Sequence, residues 1–245
     1  MSLGYLLLKR GADIVLSGLA IVVLSPVLLV TAIILKATGE HLVLYRQRRV
    51  GKNYVPFDIY KFVTMRADSP RFGTITARND PRVLPVGKVL RKTKINELPQ
   101  LFNILFGHMS IVGPRPLTPT EVDKYPDDVR PVVYRDNQPG LTGMGSLFFR
   151  DEEELLGATG KDADRAYRED IMPIKGALEV WYRGRRSAWL DMKLVVLTAW
   201  AVVSPRTVPV VEAFRGAGGV PGEVLAAYRR LVEQAGERER EQERE

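Results

Sequence analysis

Between Ile14 and Leu35 the chain reads IVLSGLAIVVLSPVLLVTAIIL, 22 positions without a charge. A helix rises about 1.5 Å per residue and a bilayer's hydrocarbon layer is about 30 Å thick, so this run is long enough to cross it. Downstream the period shortens. HLVLYRQRRVG and YVPFDIYKFVTM alternate polar and apolar positions on either side of Gly51-Lys52-Asn53, which predicts a β-hairpin. Helical spacing returns at Leu98, Leu101, Phe102 and Leu105, with Asn96 as N-cap, Glu97 at the positive end of the helix dipole, Pro99 in the first turn and Gly107 as the stop. From Ser187 to Pro205, Leu190, Leu194, Leu197 and Ala201 recur at helical steps, and Trp189 and Trp200 share a face. That pattern fits a helix at the boundary of water and lipid, and equally a buried core helix. The closing GEREREQERE has no apolar residue and is expected to be a solvated or frayed tail.

Ser25-Pro26 interrupts the long apolar run. Proline removes one backbone hydrogen bond and clashes with the carbonyl four residues back, at Val22, so a bend is expected there, with the Ser25 hydroxyl as the local donor to the freed carbonyl. Lys9 and Arg10 precede the run; Lys36 follows it, with Arg46, Arg48, Arg49 and Lys52 soon after. A spanning helix carries its basic excess on the cytoplasmic side, and here both ends look cytoplasmic. A re-entrant helix that enters one leaflet and returns accounts for this. A single span kinked at proline is the rival, and the residues alone leave both open. A cleaved signal peptide is not expected, since the apolar stretch is too long and no small-residue cleavage site follows.

Composition narrows the chemistry. At 245 residues the chain can bury a core, as one domain with or without appendages. It has no cysteine, which excludes disulfides, thiol nucleophiles and thiolate metal sites, and its two histidines, His41 and His108, stand in unrelated contexts. The net charge of +7 is unevenly spread: the first 116 residues hold 17 Lys/Arg against 6 Asp/Glu, the remainder 19 against 23. The basic half calls for an anionic partner: nucleic acid, phosphorylated small molecules or an anionic membrane surface. Nucleic acid would leave the apolar run unexplained.

Within the basic half, Glu97 is the sole acidic residue between Pro81 and Pro116, among Arg82, Lys88, Arg91, Lys92, Lys94 and Arg115. Taken alone it is a capping charge. Nearby, Gly113-Pro114-Arg115-Pro116 sets one guanidinium between two prolines; such a loop is stiff and can present the cation to a phosphate at low entropic cost, although a solvent-facing turn is the commoner use of such a sequence. The acidic run Asp151 to Glu154 is expected to be a solvated helix face.

In order, Lys9-Arg10 and Asp13, the Ser25-Pro26 helix, FDIYKFVTM (57–65), NDPRVLPVGKVLRKT (79–93), NELPQLFNILFGHMSIVGPRP (96–116), QPGLTG (138–143) and WLDMKLVVLT (189–198) resemble the bacterial sugar transferase family, the small monotopic phosphoglycosyl transferases. The resemblance implies an α+β protein. A re-entrant membrane helix (9–36) would be followed by a small, mostly helical cytoplasmic domain (37–204) with a short β-hairpin and membrane-surface amphipathic helices, then a C-terminal extension (205–245). It implies transfer of a sugar-1-phosphate from a UDP-sugar to polyprenyl phosphate with release of UMP, at the cytoplasmic face of the bacterial inner membrane, in exopolysaccharide or lipopolysaccharide synthesis. Mg²⁺ is the implied cofactor. UDP-sugar, polyprenyl phosphate and membrane lipid are the implied partners, without nucleic acid, and a homo-oligomer or glycan-assembly partners are compatible with it.

The family's catalytic pair is Asp-Glu at a helix start, and here it reads Asn96-Glu97. An amide oxygen is a poor nucleophile and a weak metal ligand compared with a carboxylate. Val63, Gln138 and Met144 also depart from the family pattern. The expected site therefore comprises Glu97 and Asn96 as catalytic residues, Glu97 as the Mg²⁺ ligand, and Arg91, Lys94, Arg115 and Lys61 on the phosphates, with Ser25 and Pro26 breaking the membrane helix. Either Glu97 takes over as nucleophile, or the polyprenyl phosphate attacks directly in a ternary complex. The alternative is an inactive member that binds nucleotide-sugar or prenyl phosphate as an assembly protein.

Overall fold

The computed structural model describes residues 3–38, 41–66, 81–159, 161–204 and 209–242. Asn79 and Asp80, which open the basic stretch quoted above, and the last three residues of the charged tail lie outside them. The chain forms two compact units, Met1–Gly51 with Val55–Ile111, and Lys52–Tyr54 with Val112–Glu245.

The first unit is built on α1 (Leu3–Ala37), 35 residues with Pro26 inside. Ser25 Oγ donates to the Val22 carbonyl at 2.7 Å, the local repair that the proline demands. Among the described residues α1 is the one helix long and apolar enough to cross a membrane. Its burial is inverted relative to a soluble helix: Asp13, Ser17, Thr31 and Leu35 are buried, while Val15, Leu19, Val22, Val23 and Val30 are exposed. Polar groups on the protein side need partners. Asp13 Oδ1 accepts the Ile111 N–H at 2.9 Å, and Arg10 donates to the Ile104 and Leu105 carbonyls at 2.7 and 2.9 Å. Those carbonyls lie at the C-terminal end of a short helix, where free acceptors and negative partial charge favour a cation.

The expected hairpin is present: β1 (Leu44–Val50) pairs antiparallel with β2 (Pro56–Phe62), with Leu44 opposite Phe62 and Val50 opposite Pro56. α2 (Pro85–Lys92) follows, and Gly87 passes so close to Thr64 that an added Cβ would lie 2.1 Å from its carbonyl oxygen. Leu35, Phe62 and Leu90 form a buried cluster against which Leu28, Ala32, Val43, Val86 and Ile95 pack. α3 (Gln100–Leu105) carries Asn103, fully buried, whose side chain accepts the Tyr60 N–H at 2.9 Å and donates to the Asp58 carbonyl at 2.8 Å. The amide thus occupies backbone groups on the edge of β2 that a further strand would otherwise pair. β3 (Ser110–Val112) ends the run.

The second unit is mainly helical: α4 (Pro119–Val122), α5 (Val129–Tyr134), the short strand β4 (Gly140–Thr142), α6 (Met144–Phe148), α7 (Glu152–Ala158), α8 (Ala163–Ala166), a π-helical turn Tyr167–Ile171, α9 (Met172–Arg185), α10 (Ala188–Val203), α11 (Val210–Ala213) and α12 (Gly222–Gln242). A capping box opens α4: Thr118 Oγ1 accepts the Glu121 N–H while Glu121 Oε2 accepts the Thr118 N–H at 2.7 Å. α10 resolves the two readings of its sequence by using both faces: Leu190, Leu194, Leu197 and Ala201 are buried, while Trp189, Met192, Val196 and Trp200 are exposed. The charged tail is helical through Gln242. α12 packs on α7 and α9, and Tyr228 donates to the Phe148 carbonyl at 2.7 Å.

Candidate active site

α2 stops at Thr93, whose hydroxyl donates to the Val89 carbonyl at 2.8 Å. Lys94 then takes a left-handed conformation, φ 59°, at a cost of about 1–2 kcal/mol for a residue with a Cβ. That reversal sends Ile95 into the Leu35–Phe62–Leu90 cluster. Asn96 and Glu97 follow in the tight 3₁₀ turn Ile95–Glu97, in which the Glu97 N–H donates to the Lys94 carbonyl at 3.0 Å. α3 starts only at Gln100, with Pro99 in the cap position and no side-chain cap.

The expectation that Asn96 caps this helix is therefore not met. The left-handed Lys94 places Asn96 one turn before the helix proper, where its oxygen has no first-turn N–H to accept. Asn96 Oδ1 is instead buried and without a hydrogen-bond partner among the described residues. An orphaned buried acceptor costs roughly 1–3 kcal/mol, and it marks a position where a ligand or water completes the set.

The turn packs against α2 and β2, so the elements framing Asn96 and Glu97 are those that carry Arg91, in the last turn of α2, and Lys61, which precedes Phe62 of the core cluster. Arg91, Lys61, Asn96 and Glu97 are half-buried and Lys94 is exposed. Ser25 and Pro26 are exposed in mid-helix; the helix turns that follow them, through Leu28 and Ala32, pack on the cluster that holds Ile95.

Arg115 belongs to the second unit. Gly113, Pro114 and Pro116 are buried and Arg115 is exposed between them, an exposure common to a phosphate-presenting loop and a solvent-facing turn. The Gly113 N–H donates to the Thr142 carbonyl at 2.9 Å and the Gly140 N–H to the Pro114 carbonyl at 2.8 Å. Both glycines are required by contact: a Cβ on Gly113 would lie 2.2 Å from the Gln138 carbonyl oxygen, and one on Gly140 2.1 Å from Gly113 N.

Two charged residues of the second unit escaped the sequence reading. Lys175 and Glu179, one turn apart on α9, are both buried. Glu179 Oε1 accepts the Gly145 N–H at 3.0 Å, and burial, opposed by that bond and by Lys175, raises its carboxyl to about 7. Burial lowers Lys175 below the usual ammonium range against the pull of Glu152, its ion-pair partner. Glu152 is thus not part of a solvated face, as had been expected, because α7 turns it toward the buried ammonium. The overlooked signal was two charges at i and i+4 flanked by Met172, Leu178 and Tyr182 on one helix, with Ile171 just before it.

For a cation, the described residues offer no group of three or more His, Asp or Glu side chains. The Glu97 carboxylate and, at the preceding position, the unpartnered Asn96 Oδ1 are both oxygen donors. That suits Mg²⁺, which binds through one or two protein oxygens and fills its remaining positions with substrate phosphate and water.

A family model described as bacterial sugar transferase matches residues 4–205. The chain is 36% identical over 195 residues to a UDP-glucose:undecaprenyl-phosphate glucose-1-phosphate transferase of Klebsiella pneumoniae, covering 78% of this chain and 39% of that protein. It is 36% identical over 202 residues to a UDP-N-acetylgalactosamine-undecaprenyl-phosphate N-acetylgalactosaminephosphotransferase of Aeromonas hydrophila, covering 82% and 44%. Against the exopolysaccharide production protein PSS of Rhizobium leguminosarum bv. phaseoli it is 35% identical, covering 78% of this chain and 92% of that protein. The matched part thus spans about two fifths of the first two relatives and nearly all of the third.

Proposed function

The chain belongs to the bacterial sugar transferase family, and we propose that it transfers a sugar-1-phosphate from a UDP-sugar to polyprenyl (undecaprenyl) phosphate with release of UMP, an early membrane step of surface polysaccharide or glycoconjugate synthesis. The observation that carries this reading is the Asn96-Glu97 turn: a carboxylate beside a buried, unpartnered amide oxygen, framed by elements bearing Lys61, Arg91 and Lys94.

In the reaction an oxygen forms a bond to the sugar-bearing phosphorus. The bridging P–O bond breaks, and UMP leaves with the electron pair. Lys61, Arg91 and Lys94 of the first unit bind the diphosphate and stabilise the charge that grows on the leaving oxygen; Arg115, on its own loop of the second unit, is by the family resemblance likewise a diphosphate-binding cation. Mg²⁺ held by Glu97 and Asn96 Oδ1 would neutralise further phosphate charge when bound. With an amide at position 96, the attacking oxygen is either the Glu97 carboxylate, giving an acyl-phosphate whose phosphorus the polyprenyl phosphate then attacks to release the carboxylate, or the polyprenyl phosphate itself.

We further propose that α1 is re-entrant and that the protein sits on the cytoplasmic face of the inner membrane. Arg10 and Asp13, near one end of α1, are tied to residues 104, 105 and 111, while Leu35, at the other, packs on Phe62 and Leu90 of the same unit. A simple span would part those ends by the bilayer. The exposed Trp189, Met192, Val196 and Trp200 face of α10 fits the interfacial layer.

Purified protein in nanodiscs, given a panel of UDP-sugars with undecaprenyl phosphate and Mg²⁺, is expected to release UMP from at least one sugar, and Glu97→Gln to release none. No UMP from any UDP-sugar with any divalent metal refutes the function. Activity confined to Asn96→Asp would point instead to a binding protein. Ping-pong kinetics with UMP exchange in the absence of lipid acceptor assign the attack to Glu97, and sequential kinetics without exchange assign it to the acceptor.

A further inference from the structure

We propose that Glu179 is a positioning residue: as a buried hydrogen-bond acceptor it fixes the Gly143–Gly145 turn, and through that turn it holds the Gly113–Pro116 loop in the place from which Arg115 reaches a phosphate. The inference rests on the reading of Arg115 as a diphosphate-binding cation, and it concerns residues of the second unit alone.

The connection runs through short backbone contacts. Glu179 Oε1 accepts the Gly145 N–H at 3.0 Å, at the first turn of α6. Two residues earlier, Gly143 abuts the loop so closely that a Cβ there would lie 2.1 Å from the Gly113 carbonyl oxygen. Gly113 and Gly140 are cross-bonded to Thr142 and Pro114, and the Thr142 hydroxyl is anchored on Thr198 of α10 at 2.6 Å. The loop, β4 and the start of α6 therefore move as one piece, and Glu179 is the side chain of α9 that pins its far end.

Placing a carboxyl in this interior is expensive, and the structure does not recover that cost as an ion pair with Lys175. Lys175 Nζ is taken by Glu152 and lies over the Phe149 and Tyr167 rings at 5.3 and 5.1 Å. Glu179 Oε2 has no partner among the described residues. A buried acid kept with one oxygen bonded to a backbone N–H and the other idle is serving as an acceptor at Gly145 rather than as a charge.

Acceptor and charge are separable by substitution. Glu179→Gln keeps an oxygen for Gly145. Glu179→Leu keeps the volume and removes the acceptor. Gly145→Ala attacks the same contact from the other side, because its new Cβ would lie 2.9 Å from Glu179 Oε1. With full-length protein in nanodiscs, hydrogen exchange of peptides covering 112–116 and 138–145 and the Kd for UDP are measured for each variant. Glu179→Leu and Gly145→Ala are expected to speed exchange in both peptides and to raise the Kd by about tenfold, the loss of roughly one hydrogen bond, while Glu179→Gln stays within about threefold of wild type. Combining Glu179→Leu with Arg115→Ala should weaken UDP no further than Arg115→Ala alone, since both act on one contact.

Exchange in 112–116 that is unchanged by both Glu179→Leu and Gly145→Ala overturns the proposal, as does a Glu179→Gln protein that behaves like Glu179→Leu. An Arg115→Ala protein with unaltered UDP affinity would instead remove Arg115 from the phosphate site, and the exchange measurement would still decide whether Glu179 holds the loop.

Discussion

Replacing Asn103 with alanine removes a side chain that links α3 to the edge of β2. Its amide satisfies two backbone groups on the edge of β2, the Tyr60 N–H at 2.9 Å and the Asp58 carbonyl at 2.8 Å, from a position with no solvent exposure. Alanine leaves both unpaired. Each orphaned buried group costs about 1–3 kcal/mol; water entering the small void would recover part, so the net expected loss is about 3 kcal/mol. For a chain of this size, 1 kcal/mol moves Tm by about 2–4 °C, and Tm should fall by roughly 6–12 °C. The assay is thermal unfolding of the nanodisc-held protein, paired with hydrogen exchange at Tyr60. Because α3 continues directly from the Asn96-Glu97 turn, turnover should also fall at temperatures where the protein remains folded. A Tm within about 3 °C of wild type, with Tyr60 exchange unchanged, would show that the amide is not what holds α3 to the hairpin.

Glu179→Gln should alter the pH dependence of stability. The folded carboxyl titrates at about 7 against an ordinary 4.5, so its contribution is fully present below pH 4.5 and is lost as pH rises through 7. The non-ionising variant should therefore gain stability over wild type across that interval, by an amount on the order of 3 kcal/mol at neutral pH; parallel unfolding curves from pH 5 to 8 would contradict it. Gly113→Ala forces a methyl to within 2.2 Å of the Gln138 carbonyl oxygen, and should cut UMP release by at least about tenfold, equivalent to about 1.4 kcal/mol, while the protein still folds, as measured by activity and circular dichroism. Brominated phosphatidylcholine should quench the tryptophan fluorescence of the wild type. It should quench little in a Trp189→Phe/Trp200→Phe protein, whose remaining Trp181 is buried; equal quenching in both would place the α10 face away from lipid.

Local chemistry made much of the molecule legible in advance. An uncharged run of 22 residues is long enough for a membrane-length helix, and a proline after Ser25 leaves the Val22 carbonyl to a nearby hydroxyl, which is the bond observed. Alternating patterns on either side of Gly51 give an antiparallel pair because strand side chains alternate with period two. The family resemblance likewise rests on short-range order along the chain. Burial was another matter. Asn96 looked like a helix cap, yet the left-handed Lys94 and the packing of Ile95 place it in a separate turn with its oxygen enclosed. Glu152 looked solvated, although it meets a buried ammonium, whereas the charged tail, continuing α12, keeps Glu237, Arg238 and Arg240 exposed as expected. Sequence determines which conformations a segment can adopt at low cost, because sterics, hydrogen bonding and periodicity act over a few residues. Which charges lose their water, and which side chain meets which backbone group, depends on partners far along the chain, as with Glu179 and Gly145, and only the tertiary structure brings those together.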